Sequence, residues 1–149
     1  MTTKRSAYGA AVAALARREL SRYELDLKLR KAKFDRQEIT RVLADCEAQG
    51  LQSDHRFAES YLRSRAANGY GPRRITVELK RKGVDDGVIR QAFSESEQDW
   101  QANAQAAHIK RFGLKSEMTL QEKARQVRFL EYRGFDSDDI RIAMEQRAC

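Results

Sequence analysis

"KFDRQEITRVL" at residues 33–43, "GVDDGVIRQAF" at 83–93 and "GFDSDDIRIAM" at 134–144 are three versions of one pattern. Superposing Phe34, Val84 and Phe135 gives offsets of 50 and 51 residues, the period of a small structural repeat. An aspartate follows each anchor (Asp35, Asp85, Asp136), an isoleucine stands five places on (Ile39, Ile89, Ile140), and an apolar pair closes the run. That spacing predicts a helix opened by an aspartate N-cap, with Asp35 and Glu38 composing a capping box. Nine places before the anchors stand Leu25, Ile75 and Gln126, and five before them Leu29, Leu79 and Leu130, the inner face of a preceding helix. Gln126 is the polar exception. Gly83 and Gly134 sit where a left-handed residue ends that helix; Lys33 holds the same place in the first copy, at a cost of on the order of 1 kcal/mol if φ is positive.

A further helix precedes each pair, over Ala10 to about Glu19, Ser53 or Asp54 to Ala67, and about Glu97 to Arg111, the last carrying Trp100, Ala104, Ala107 and Ile109. Ser21 with Glu24 and Thr119 with Glu122 form capping boxes, and Pro72 takes the first helical position in the middle copy. The expected fold is all-α, a tandem repeat of three helix-turn-helix-like units of three helices each. Its expected parts are a flexible tail at 1–7 and repeats at 8–51, 52–95 and 96–149. Units this small bury little surface alone, so they are expected to stack into an elongated, curved body.

The chain has 149 residues, 34% of them charged, and a net charge of +7, a balance that suits acidic partners. The alanine-rich start is too short and too weakly apolar for a signal peptide, and no segment approaches the ~18 apolar residues of a membrane span. Two distant cysteines, Cys46 and Cys149, exclude a disulfide framework and fit a reducing cytoplasm, with Cys46 on the buried face of its helix and Cys149 in a frayed end. The charge concentrates between Tyr61 and Lys82, where Arg63, Arg65, Arg73, Arg74, Lys80, Arg81 and Lys82 face a single acid, Glu78. Within it, "NGYGPRRI" at 68–75 places two arginines in the first turn of a helix, against the helix dipole. Folding alone gives them little reason; an acidic partner does. The same helix start is expected to offer free N–H groups to an anion, and Tyr70 a ring on which a partner can stack. The bland alternative is a solvated cationic face with Tyr70 as packing.

No catalytic apparatus is legible. Ser53, Asp54 and His55 are the residue types of a hydrolase triad, but neighbours at a helix start point apart. His55 and His108 lack metal-ligand spacing, Gly69-Tyr70-Gly71 lacks the third glycine of a dinucleotide fingerprint, and no phosphate-binding P-loop occurs. The sequence therefore predicts no enzyme, no cofactor and no metal.

"SRYELDLKLRKAKFDRQEITRVLADCEAQG" (21–50), "LQSDHRFAESYLRSR" (51–65) and "GYGPRRITVELKRKGV" (69–84) resemble the RecX family of bacterial regulatory proteins. The likeness runs from about Ala10 to Phe93, with Lys33 where the family usually has glycine and Ser53 where it often has an acid. The resemblance implies a cytoplasmic modulator that binds the filament of the RecA recombinase on single-stranded DNA. It further implies inhibition of ATP hydrolysis, strand exchange and co-protease activity, and so a part in the SOS response, DNA repair and recombination. Carried over to this chain, Tyr70, Arg73, Arg74, Lys80, Arg81 and Lys82 are the expected contacts, flanked by Arg63 and Arg65. The alternative is a helix-turn-helix-like DNA-binding module working through phosphates, with weak single- or double-stranded DNA binding; its affinity would fall steeply with salt. A monomer without membrane association is expected in either case.

Overall fold

The computed structural model describes residues 6–115 and 117–145. Among them run nine α-helices: α1 (Ala7–Arg17), α2 (Arg22–Lys31), α3 (Arg36–Ala48), α4 (Asp54–Ala67), α5 (Pro72–Arg81), α6 (Asp86–Glu95), α7 (Trp100–Phe112), α8 (Leu120–Arg133) and α9 (Ser137–Glu145). No strand occurs among the described residues. The helices follow one another as three trios. By contact the chain gathers into two compact units, one holding the residues up to Tyr61 with Leu79–Ser94, the other Leu62–Glu78 with the residues from Glu95 onward. α4 and α5 give part of their length to each.

In the first unit α1, α2 and α3 close on Ala7, Ala11, Ala14, Leu20, Leu25, Leu29, Ile39, Val42, Leu43 and Cys46. The small residues of α1 let its backbone come close, and Ser6 caps it by accepting from the Gly9 N–H at 2.9 Å. Ala7, assigned to the tail from sequence, is fully buried; residues 1–5 and Cys149 lie outside the described residues. The Ser21–Glu24 capping box forms with both of its bonds. The one expected at Asp35 does not: Asp35 makes no side-chain cap, and Glu38 accepts instead from the Ala7 N–H at 3.3 Å.

The end of α5 meets the start of α2. Ser21 Oγ donates to the Lys82 carbonyl at 2.7 Å, and Gly83, at φ 79°, lies so near Tyr23 that a Cβ would stand 2.6 Å from the tyrosine's own. Lys33 does take φ 65°, but in an exposed turn, where a side chain meets the backbone cost alone. Beside this contact Lys82 Nζ lies 3.1 Å from Glu24. Burial alone would raise the Glu24 carboxyl; the Ser21 N–H, Lys82 and Arg18 outweigh it and hold the group below its ordinary value. A depressed carboxyl adds stability that is present above its unfolded pKa and is lost as pH falls through the folded one.

In the second unit α7, α8 and α9 enclose Ala104, Ala107, Leu130, Phe135, Ile140, Ala143 and Met144, with Trp100, Val127 and Phe129 packed against them. Asp99 caps α7, which starts three residues later than its expected beginning, and Thr119 caps α8. Ile109 is 37% exposed, and His108 takes the inner place. The same helix pair explains Gln126. His108 and Gln126 are both buried, with His108 Nε2 2.6 Å from Gln126 Oε1, so the odd residue of the repeat is the partner of a core histidine. A carbonyl acceptor there puts the ring proton on Nε2.

Replacing Gln126 by leucine, as the other copies suggest, therefore strands a buried N–H and is expected to cost about 1–3 kcal/mol in urea unfolding. Adding His108→Leu removes the stranded donor and should recover most of the loss. A single Gln126→Leu variant as stable as the unaltered chain would contradict the pairing.

Candidate functional site

The cationic segment is shaped by the start of α5 and the end of α8, both in the second unit. Helix ends leave carbonyls at one terminus and N–H groups at the other without intrahelical partners. Here they satisfy one another. The Gly71 N–H donates to the Arg133 carbonyl at 2.7 Å and the Arg73 N–H to the Gly134 carbonyl at 2.9 Å. The expectation of free N–H groups for an anion is thus corrected, since two of them are spent inside the fold. Approach this close excludes side chains: a Cβ on Gly71 would lie 2.5 Å from the Gly134 carbonyl, and one on Gly134, at φ 96°, 2.4 Å from Arg74 Cβ.

The same contact accounts for the paired arginines. The negative end of α8 meets the positive end of α5, so cations in that first turn gain carbonyls that a lone helix would lack. Arg74 donates from Nη1 to the Tyr132 carbonyl at 3.2 Å. Arg133 reaches back to the Asn68 carbonyl at 3.1 Å, beyond the end of α4.

Tyr70 is enclosed by these groups. The guanidinium of Arg65 lies 3.8 Å from its ring centre, and those of Arg74 and Arg133 each 4.7 Å. Glu78 neutralises two of them: Arg65 binds it through two bonds of 2.9 Å, and Arg74 Nε lies 3.2 Å away. Burial disfavours charge on Arg74, yet the Glu78 and Tyr132 contacts outweigh it and raise its pKa. Each cation–π contact is worth roughly 0.5–2 kcal/mol, so the ring of Tyr70 works mainly as an internal hub for three arginines.

The eight residues singled out from sequence therefore fall into two sets. Arg65, Tyr70, Arg74 and Lys82 turn inward, Lys82 spanning Glu24 and the ring of Tyr61, 5.5 Å away, in the first unit. Arg63, Arg73, Lys80 and Arg81 are exposed. Arg73 pairs with Asp136 at 2.9 Å, but with 71% of its side chain in solvent that bridge adds little, and Lys80 stands 3.6 Å from Asp86. Among the described residues Arg63 and Arg81 have no ion-pair partner. Sequence reading missed Arg133, Tyr132 and Glu78 as members of the cluster. Only the four-residue spacing of Arg74 and Glu78 could have signalled one of them.

The triad-like residues are engaged elsewhere. Ser53 Oγ accepts from the Arg56 N–H at 3.2 Å, Asp54 accepts from the Arg22 N–H at 2.8 Å, and His55 Nδ1 faces Glu59 at 2.9 Å. No helix among the described residues is long and apolar enough to cross a membrane.

Comparison with known proteins places the segment in context. Residues 53–92 match the family model described as the second three-helix domain of RecX, and residues 97–144 match that of the third. The chain is 42% identical over 134 residues to the regulatory protein RecX of Halorhodospira halophila, covering 90% of this chain and 83% of that one. It is 40% identical over 134 residues to that of Legionella pneumophila, covering 90% and 89%. The crystal structure of RecX from Lactobacillus salivarius superposes with a TM-score of 0.74 at 22% identity, covering 93% of this chain and 92% of that one. A crystal structure of another regulatory protein RecX superposes at 0.78 and 18% identity, covering 94% and 72%. These two likenesses speak for the fold, a tandem array of three-helix domains.

If the two helix ends depend on bare backbone, Gly71→Ala is expected to lower unfolding free energy by about 1–3 kcal/mol through overpacking, although φ at Gly71 is not positive. Gly50→Ala, at φ 72° with nothing within 4 Å of the added Cβ, should lose only the backbone share of about 1 kcal/mol. Lys33→Gly should gain a comparable amount. Thermal or urea unfolding of the three variants checks the order, and a neutral Gly71→Ala would contradict the packing.

Proposed function

The chain belongs to the RecX family of regulatory proteins, and from that premise we propose that it is a binding module for the filament of the RecA recombinase on single-stranded DNA. On this reading it lowers ATP hydrolysis, strand exchange and co-protease activity without chemistry of its own, and works as a cytoplasmic monomer. The observation that carries the reading is the family match over residues 53–92, which contains the whole cationic segment.

Regulation of this kind needs differential affinity and no catalytic group: a protein that binds one arrangement of filament subunits more tightly than another shifts their populations. Serial helical domains suit that task, because each can touch a different subunit. The proposed contacts are the exposed cations, Arg63 and Arg73 on the second unit and Lys80 and Arg81 on the first. Arg65, Tyr70, Arg74 and Lys82 serve by holding the backbone that carries them. Mutating the inner set would confuse lost binding with lost fold, so the outer set is the useful probe.

The test follows ATP hydrolysis by preformed RecA filaments at moderate salt while the protein is added. Hydrolysis is expected to fall, and Arg63→Glu with Arg81→Glu to raise the concentration needed by about tenfold or more while helical content stays unchanged. Hydrolysis unaffected by saturating protein would overturn the proposed function. Full inhibition by the folded double variant would move the contact to other residues.

A further inference from the structure

Asn68 and Gly69, just past the end of α4, form the one asparagine–glycine pair in the chain. Such a pair can modify itself. Once the Gly69 nitrogen loses its proton it can attack Cγ of the preceding side chain, because glycine puts no Cβ in the way. The side-chain amide then leaves as ammonia and a five-membered succinimide closes. Water reopens the ring at either carbonyl, giving aspartate by attack at Cγ and isoaspartate by attack at the main-chain carbon.

Loss of that proton leaves negative charge shared between the Gly69 nitrogen and the Asn68 carbonyl oxygen. The structure sets a cation on this oxygen: Arg133 Nη1 donates to it at 3.1 Å, and to the Gly69 carbonyl at 3.4 Å. A charged donor already in place where charge develops stabilises the anion more than the neutral amide. Two bonds oppose the reaction. The Gly69 N–H donates to the Ala66 carbonyl at 3.1 Å, and Asn68 Nδ2 donates to the Ser64 carbonyl at 3.0 Å. Both are neutral bonds at an exposed helix end, where the last turn opens readily. Arg133 does not depend on them, since the rings of Tyr70 and Phe129 hold its guanidinium at 4.7 and 4.8 Å. A charge-assisted bond is roughly twice as strong as a neutral one, which tips the balance toward reaction.

We propose that Asn68 is a self-modification site in the folded chain, converted to isoaspartate and aspartate while the Arg133 guanidinium stabilises the anion of the Gly69 amide. The same guanidinium polarises the Asn68 main-chain carbonyl toward water, so isoaspartate is the main product. The balance needs only water: Asn68 takes it up and releases ammonia, with no change of oxidation state. Asn103, the other asparagine, lies inside α7 ahead of Ala104 and stays intact. Isoaspartate adds a methylene to the main chain shortly before Gly71, whose N–H is committed to the Arg133 carbonyl at 2.7 Å. Modification therefore loosens the junction of α8 with α5 as the molecule ages.

The experiment incubates the full chain at neutral to mildly alkaline pH and follows position 68 by peptide mapping, with mass spectrometry that separates asparagine, aspartate and isoaspartate. Conversion is expected at Asn68 and not at Asn103, at a rate that rises with pH and is at least as high in the folded chain as in urea. Arg133→Gln is expected to slow it about tenfold, the worth of one charge-assisted hydrogen bond, and to lower the isoaspartate share. Arg133→Lys, which keeps the charge, should recover part of both. A merely structural arginine predicts the opposite sign, because a loosened end of α4 frees the Gly69 N–H and speeds the reaction. Two results would overturn the proposal: Asn68 intact in the folded chain while the chain in urea converts, a comparison that needs no variant, or Arg133→Gln reacting as fast as the unaltered chain or faster.

Discussion

The carbonyls that end α8 have to find donors, and they find them in the first turn of α5. Arg133 and Gly134 accept from the N–H groups of Gly71 and Arg73, and the approach is possible because neither Gly71 nor Gly134 carries a Cβ. Removal of that condition would misplace much else. Arg74 would lose the Tyr132 carbonyl, Arg133 the Asn68 carbonyl, and the ring of Tyr70 two of the guanidinium groups that enclose it. The first unit solves the same problem differently. There the end of α5 meets the start of α2 through the hydroxyl of Ser21, which donates to Lys82, with Gly83 bare against Tyr23. Ser21 and Gly71 stand fifty residues apart, at equivalent places of the repeat. A serine side chain does in one copy what the main chain does in the next.

This explains a division among the basic residues that net charge conceals. Some are structural cations, neutralised by Glu78 or Glu24 and by helix-end carbonyls; others stand in solvent with weak partners or, among the described residues, none. Leaving a neutralised cation uncompensated costs stability, whereas exposed bridges add little either way. Function is therefore to be sought in the second group. Such an arrangement suits a regulator, whose exposed charges are available to a partner because the buried ones already fix the frame.

Much of the fold was legible in the chain itself. The fifty-residue period, the Ser21 and Thr119 caps and the core positions at Leu25, Leu29, Ile39 and Leu130 follow from helical spacing and local hydrogen bonding, and the structure has them. The irregularities were visible as well, but their reasons were not. Gln126 marked an exception without naming His108, eighteen residues away, and Lys33 announced a strained turn without showing that the turn is exposed. The site was less legible. Paired arginines after a Gly-Pro step signal an outward cationic platform by local rules, yet Tyr132, Arg133 and Gly134 come from about sixty residues away and draw part of it inward. No periodicity encodes that contact. The Glu38 half of the capping box expected at Asp35 failed for a similar reason, because the Glu38 carboxylate accepts from the distant Ala7 N–H.

The account stands most directly on the two hydrogen bonds that join α8 to α5. Both N–H groups lie at the start of α5, where an isolated helix would leave them to water and fast exchange. Amide hydrogen exchange on the intact chain is the deciding measurement. The account predicts that Gly71 and Arg73 exchange as slowly as Ile75, whose N–H donates to the Gly71 carbonyl within the helix. Fast exchange at Gly71 and Arg73 beside a protected Ile75 would show that the helix ends do not meet, and would contradict it.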